Sequence, residues 1–164
     1  MITVYIKAIV RPVNPNNFGV YAFVAYDNTQ KIREEVGVYE KMCTQNQVSY
    51  FCLRQALRWL MASFREKEPI AIKTDNPLIY YEMLGLQKAS PQTWYYREYK
   101  WTLKLASHFS ILSFALIPRW QNEADNLAQK AYEEYCRKKG LSLKGPYNGI
   151  TRLMKRPPWI NPNR

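Results

Sequence analysis

Residues 115–128 read ALIPRWQNEADNLA, a sequence that joins a strand pattern directly to a helix pattern. The apolar run 115–117 is typical of the end of a buried strand, and Pro118 ends it because proline has no N–H to donate to a sheet. Small and apolar residues then recur at helical spacing, at Ala124, Leu127, Ala128, Ala131 and Tyr135. This pattern predicts a helix over residues 122–139 that can lie close to a sheet, with Asp125 in its first turn.

The N-terminal region has the composition of a β-meander. Residues 2–10 and 19–26 are rich in β-branched and aromatic side chains, and the segment between them, residues 12–17, consists mostly of turn formers. These runs predict a hairpin. A third, shorter strand is expected over residues 36–39, after the polar break at residues 27–30.

Helix and strand patterns alternate in the middle of the chain. Thr44 is a good helix cap, and apolar residues follow at helical spacing, at Leu53, Leu57, Leu60 and Phe64. A short buried strand over residues 70–74 should lead to a helix capped by Asp75 or Asn76, with Gly85 near its end.

A connection bearing Trp and Tyr (residues 91–96) follows, and then an amphipathic segment (residues 97–107) and a strand (residues 109–117). The predicted order is β-β-β-α-β-α-α-β-α. It indicates an α/β fold with a mixed five-stranded sheet, three strands antiparallel and two parallel, flanked by helices.

Length and composition predict one domain with a tail. The chain has 164 residues, 47% hydrophobic and 15% aromatic, which suffices for a single core. We expect this domain to span residues 1–139, and residues 140–164, which contain prolines and glycines, to form an irregular extension. The three cysteines show no CxxC or Cys/His cluster, so they predict neither a disulfide framework nor a zinc site. No signal or transmembrane pattern occurs in the sequence, so we expect a cytoplasmic protein that does not bind a membrane.

The positive charge is concentrated at the C-terminus. The formal net charge is +11, yet residues 1–136 hold sixteen basic and thirteen acidic side chains. No acidic residue follows Glu134, whereas eight lysines and arginines do. Such a tail favours an anionic partner, nucleic acid ahead of a membrane because no amphipathic helical stripe is present. The alternative interpretation is a tail that only keeps the protein soluble.

Four segments resemble, in order, those of the type 1 ribonuclease H family over roughly residues 2–135. They are the Asn14 and Pro15 turn, TQNQVSY (44–50), KTDN (73–76), and IPR (117–119) with EAD (123–125). In that family the first strand carries an aspartate, the first helix a glutamate, the fourth strand ends in aspartate, and the last helix opens on aspartate. The resemblance implies the ribonuclease H-like fold.

The same resemblance implies a damaged metal site. The family uses two Mg²⁺ ions, about 4 Å apart, to cleave a phosphodiester bond. Asp75 and Asp125 match two of the four carboxylates, but Ser49 replaces the glutamate, and Lys7 or Ala8 replaces the first aspartate. A lysine facing the site would oppose a metal, because two unit charges 4 Å apart interact by about 4 kcal/mol at an effective dielectric near 20. The resemblance thus implies that Asp75 and Asp125 are remnant catalytic carboxylates, and we expect them to hold at most one Mg²⁺ or Mn²⁺, weakly.

The sequence leaves alternatives open both for the missing carboxylates and for the roles of Asp75 and Asp125. Glu40, Glu82 or Asp27 could compensate for a missing carboxylate, although none lies at a family position. An N-cap role for Asp75 and a first-turn role for Asp125 would explain both residues without a site. His108, the only histidine, receives no role.

Cations and aromatic residues are interleaved near residues 94–101, where the family places its substrate-gripping segment. Aromatic faces can stack on bases, and arginines can bind phosphates. The alternative is that these aromatics are core or protein-interface anchors. We predict the following nucleic-acid-binding residues: Trp94, Tyr96, Arg97, Lys100, Arg119, Lys138, Lys139, Lys144, Arg152, Lys155 and Arg156.

Three functional hypotheses follow. The favoured one is a degenerate, inactive ribonuclease H-like protein that binds RNA or an RNA–DNA hybrid, or forms a protein complex through its aromatic surface or tail. The second is an active nuclease with a rearranged two-aspartate site that requires Mg²⁺ or Mn²⁺. The third is a structural subunit of a larger complex.

Overall fold

The computed structural model of the protein describes residues 1–11 and 18–141. Within them the elements follow the predicted order. They are β1 Ile2–Val10, β2 Gly19–Asp27, β3 Gln30–Tyr39, α1 Gln45–Ala62, β4 Pro69–Thr74, α2 Pro77–Met83, α3 Tyr96–Ala106, β5 Ile111–Leu116, a 3-10 turn Arg119–Gln121, and α4 Asp125–Lys138. In this part of the chain no helix is long and apolar enough to span a bilayer.

The sheet has the strand order β3-β2-β1-β4-β5. β1 pairs antiparallel with β2, and β2 with β3, whereas β1–β4 and β4–β5 are parallel pairs. The predicted mixed five-stranded sheet is confirmed. Because β1, β4 and β5 run in the same direction, their carboxyl ends meet at one edge of the sheet.

Side chains of β1 point alternately into two hydrophobic cores, one on each face of the sheet. Ile6 and Ala8 belong to the core shared with α1 and α3, whereas Ile9 packs in the core shared with α4. Successive side chains of a strand point to opposite faces, so Lys7 lies on the α4 side and Ala8 on the α1 side.

Helix α1 begins with a capping box. The Thr44 hydroxyl accepts from the Gln47 N–H at 3.2 Å, and the Gln47 side chain accepts from the Thr44 N–H at 2.9 Å. The predicted Thr44 cap is therefore confirmed. Phe64 was expected on the apolar stripe, but it lies beyond the helix, 87% exposed and with φ at 58°. The stripe prediction is wrong there because the left-handed turn after Ser63 takes Phe64 out of helical phase.

Two element boundaries differ most from expectation. β3 spans ten residues rather than the predicted 36–39, because an edge strand can pair along β2 while its polar side chains face solvent. α4 begins at Asp125 rather than at residue 122, because the 3-10 turn and the Asn122 side chain occupy the entry to the helix.

Candidate functional site

A cluster of four charged residues lies at the carboxyl edge of the parallel strands. Lys7 is on β1, Asp75 directly follows β4, and Asp125 is the first residue of α4. Arg119 comes from the 3-10 turn. Elements that are far apart in the sequence thus bring both predicted aspartates and the predicted lysine together.

The Lys7 ammonium lies between the two carboxylates. Its Nζ donates to Asp75 Oδ2 at 2.5 Å and is 3.6 Å from Asp125 Oδ1. Arg119 Nε donates to the same Asp125 oxygen at 3.2 Å. Only 10% to 12% of the Lys7, Asp75 and Asp125 side chains is exposed, so solvent screens these pairs weakly. Of the two residues considered for the first-strand position, Lys7 reaches the carboxylates.

Ser49 lines the same small cavity as Lys7 and Asp75. Its hydroxyl donates to the Gln45 carbonyl at 2.8 Å and accepts from Asn76 Nδ2 at 3.1 Å. Asn76, not Asp75, caps α2, because its side chain accepts from the Leu78 N–H. The cap explanation for Asp75 is therefore wrong, and its carboxylate is available to Lys7.

Asn122 is a site residue that the sequence analysis missed. This buried side chain donates to the Ile6 carbonyl at 2.9 Å and accepts from the Ala124 N–H at 3.0 Å. It therefore fixes the entry of α4 against β1, next to Lys7. An asparagine three residues before a helix could have indicated an Asx turn, but not its partner on β1.

The residues of this cluster do not fit a divalent metal. Lys7 and Arg119 supply two positive charges to two carboxylates, and the ammonium occupies the space between the acids. Mg²⁺ needs near-octahedral oxygen ligands at about 2.0–2.1 Å, and a lysine nitrogen with three protons cannot be one. Among residues 1–11 and 18–141, no group of three or more His, Cys, Asp and Glu side chains could hold a metal ion.

The three acids considered as substitutes all have other partners. Glu82 is 1% exposed and accepts from the hydroxyls of Tyr50 and Tyr95, each at 2.8 Å. Burial and these hydrogen bonds raise the pKa of Tyr95 to about 12 and that of Tyr50 further. Asp27 lies 3.4 Å from Arg65. Glu40 interacts with Tyr135 and raises the pKa of that phenol, although burial raises it more.

The aromatic and cationic segment is divided between core and surface. Tyr95 is buried and Tyr96 is half-buried against the α1–α3 core, as the core-anchor alternative predicted. Trp94 and Trp101 are 63% and 43% exposed. The Arg97 guanidinium lies 4.3 Å from the Trp101 ring centroid. Lys100 is also exposed.

A second guanidinium reaches the Trp101 ring from α1. Arg54 lies 4.9 Å from the Trp101 ring centroid, and its Nη1 is 2.5 Å from a carboxylate oxygen of Glu98. The exposed residues Trp94, Arg97, Lys100 and Trp101 are called the α3 surface below.

The other predicted binding residues are dispersed. Lys138 and Lys139 are exposed at the end of α4, and Arg119 belongs to the charged cluster. His108 is exposed after α3. Outside the described residues lie Asn14 and Pro15 and the tail residues Lys144, Arg152, Lys155 and Arg156.

Solved structures share this fold. Ribonuclease H1 of the archaeon Halobacterium salinarum is 22% identical, with 81% of this chain and 98% of that chain covered and a TM-score of 0.70. LC11 ribonuclease H1, isolated from compost and solved in complex with an RNA/DNA hybrid, is 20% identical, with 82% and 99% covered and a TM-score of 0.73. The N-terminal ribonuclease H domain of a Mycobacterium tuberculosis protein is 20% identical, with 84% and 97% covered and a TM-score of 0.72.

No protein-family model and no curated protein matches the sequence. The structural similarity covers most of the chain and confirms the predicted ribonuclease H-like fold.

Proposed function

We propose that this protein is a ribonuclease H-like nucleic-acid-binding protein that does not cleave its ligand by two-metal chemistry. One observation carries the proposal: the Lys7 ammonium lies between Asp75 and Asp125, the two acids that match the metal-binding carboxylates of the family. A unit positive charge there repels a divalent ion by about 8 kcal/mol at 4 Å and an effective dielectric near 20, twice the value for two unit charges. Ser49 adds a dipole but no negative charge to offset this repulsion.

Three features support nucleic acid as the ligand. The net charge of +11 favours a polyanion and provides long-range attraction to it. The α3 surface combines exposed indole rings with exposed cations, which suits bases and phosphates respectively. LC11 ribonuclease H1, which shares the fold, was solved with an RNA/DNA hybrid. An RNA–DNA hybrid or a single RNA strand is therefore the ligand that we propose.

The test separates binding from cleavage. Full-length protein is titrated into fluorescent RNA–DNA hybrid, RNA and duplex DNA, and the same hybrid is incubated with excess protein in Mg²⁺ or Mn²⁺. We expect binding without metal and no cleavage with it. Cleavage that Asp75→Asn and Asp125→Asn both abolish would establish the rearranged nuclease instead. Failure to bind any of the three polymers would overturn the nucleic-acid proposal.

The tail provides an electrostatic prediction. Each phosphate contact steepens the fall of log K with log salt by about 0.9 on duplex DNA and about 0.7 on single strands. A full-length variant with glutamine at the tail positions Lys144, Arg152, Lys155 and Arg156 should therefore show a shallower slope. A slope equal to that of the parent would assign the tail another purpose, such as solubility.

A further inference from the structure

We infer that the outer edge of β5 is an interface at which two copies of this chain pair antiparallel and join their sheets. β5 spans Ile111–Leu116 and lies at one end of the strand order β3-β2-β1-β4-β5. The inference goes beyond the proposed function, and it depends neither on nucleic-acid binding nor on the charged cluster. The partner is a second copy because the sequence of this strand is compatible with itself.

The outer edge of β5 presents backbone groups that another strand can pair with. In the part of the chain that the structure describes, β4 is the only strand that pairs with β5. The backbone bonds at both ends of β5 also go to the β4 side. The Ser110 N–H donates to the Glu66 carbonyl at 3.1 Å, and the Ile117 N–H donates to the Thr74 carbonyl at 2.9 Å. The opposite edge of β5 is therefore open to a further strand.

The side chains of β5 are uncharged and incompletely buried. No lysine, arginine, aspartate or glutamate occurs in residues 105–118. Yet Ile111 is 57% and Leu116 39% exposed, and Leu112 and Phe114 are only half-buried against the α1–α3 core. Three of the six residues of β4, by contrast, are buried. Pairing with another apolar strand would remove part of this surface from water, which is favourable.

The other edge strand, β3, is protected against such pairing. It carries Lys31, Arg33, Glu34 and Glu35, and its register with β2 contains an irregularity, two devices that natural edge strands use against association. In a dimer with a two-fold axis perpendicular to the sheet, the residue on the axis lies opposite its own copy. An axis at Arg33, Glu34 or Glu35, near the middle of β3, would therefore oppose like charges.

The same symmetry is compatible with β5. Antiparallel pairing about this axis keeps both faces of the sheet continuous, so residues opposite each other lie on the same face. With the axis at Ser113, Leu112 lies opposite Phe114, and Ile111 lies opposite Ala115. An axis one residue later also gives only uncharged pairs. The charges of β3 disfavour adding further copies at the other edge, so the assembly should close as a dimer.

The net charge of +11 determines how the dimer should respond to salt. Two copies repel each other at long range, and salt screens this repulsion, so dimerisation should strengthen as the ionic strength rises. Nucleic-acid binding should respond in the opposite direction. Because a strand pair is small next to the about 1,600 Å² of a standard interface, we expect a dimer that dissociates reversibly at micromolar concentrations.

The experiment measures the mass of the full-length protein, free of nucleic acid, by analytical ultracentrifugation. Concentrations extend from low to high micromolar, each at low and at high NaCl. Ser113→Lys and Ile111→Lys place a cation on the exposed face of β5, and Ser113→Thr is the matched uncharged control. Val36→Lys makes the same kind of change at an exposed position of β3. Circular dichroism checks that each variant is folded.

We expect the parent protein, Ser113→Thr and Val36→Lys to sediment as a 19.5 kDa monomer in exchange with its dimer. Ser113→Lys and Ile111→Lys should raise the dissociation constant by about tenfold or more, because like charges then meet at the interface. An equimolar mixture of Ser113→Lys and Ser113→Glu at low salt should regain the dimer, since opposite charges then face each other. Mixing could not repair a packing defect within one copy.

Several outcomes would overturn the inference. They are a monomer at every concentration and salt, a dimer that survives both folded lysine variants of β5, a dimer that only Val36→Lys disrupts, and a mixture that stays monomeric. Hydrogen exchange of the parent protein tests the interface without a substitution, because β5 amides should exchange more slowly at high protein concentration. Equal exchange at low and high concentration would overturn the inference even if neither lysine variant of β5 folds. Nucleic-acid binding is measured separately, so the two proposals can fail independently.

Discussion

The edge cluster, which consists of Lys7, Asp75, Arg119 and Asp125, and the α3 surface use cations in opposite ways. Lys7 and Arg119 are bound to carboxylates in a half-buried cluster whose charges cancel. Arg97 lies against an aromatic ring, and both Arg97 and Lys100 are exposed to solvent. A cation compensated inside the protein contributes to packing, whereas a cation held at the surface by a neutral ring keeps its charge for an external anion. We therefore expect the first region to contribute to stability, and we propose the second for binding.

Breaking the edge cluster should have the largest effect on stability. At neutral pH, Lys7→Met should lower the free energy of unfolding by about 3–5 kcal/mol, because the largely buried Asp75 carboxylate loses its hydrogen-bond partner and Asp125 keeps only Arg119. Urea denaturation measures this loss. Lys73→Met should cost much less, since its Nζ lies over the neutral Tyr5 ring, 5.4 Å from the ring centroid. A loss below about 1 kcal/mol for Lys7→Met would mean that the cluster is not a structural unit.

Substitutions on the α3 surface should change the affinity for nucleic acid and leave the free energy of unfolding almost unchanged. Trp94→Ala should weaken nucleic-acid binding by about 1–3 kcal/mol, because one base-stacking ring is removed. Its 63% exposure implies a small change in unfolding free energy. Fluorescence anisotropy checks the affinity, with Lys67→Ala as a control on the exposed turn before β4. If Trp94→Ala binds like the parent protein, the nucleic-acid contact lies elsewhere.

The buried Glu82 site is a third polar region, and its contribution to stability can be compared with those of the other two at high pH. Burial and the hydrogen bond to Glu82 raise the pKa of Tyr95 from its ordinary value of 10.0 to about 12. An acid whose pKa is raised by folding holds its proton longer in the native state. Its contribution to stability is therefore complete below about pH 10 and is lost as the pH rises toward 12.

Tyr95→Phe should accordingly reduce the loss of stability between pH 10 and 12, an effect on the order of 1 kcal/mol. At neutral pH the same variant should be less stable, because the buried Glu82 loses one donor. Denaturation series at each pH test both parts. Tyr81→Phe is a suitable control, since Tyr81 is 41% exposed. Identical pH profiles for Tyr95→Phe and the parent would contradict the prediction.

The order of strands and helices, the Thr44 cap and the fold class were predictable from the sequence because they rest on short-range periodicity and capping chemistry. The positions of Asp75 and Asp125 at the ends of their elements were predictable for the same reason. Only the tertiary structure brings the two carboxylates to the same point, because this requires the parallel pairing of β1 with β4 and the docking of α4.

Other features depended on tertiary structure alone. Spacing left Lys7 and Ala8 as equal candidates, and only the faces of the folded β1 distinguish them, because alternate residues enter different cores. The length of β3 required its partner β2. From the sequence, Glu82 was a possible substitute for a missing metal-binding carboxylate. Packing of α1, α2 and the start of α3 instead buries it between two tyrosines. A sequence specifies which groups a segment carries, but pairing and packing determine which of those groups meet, and therefore which charges cancel and which stay exposed.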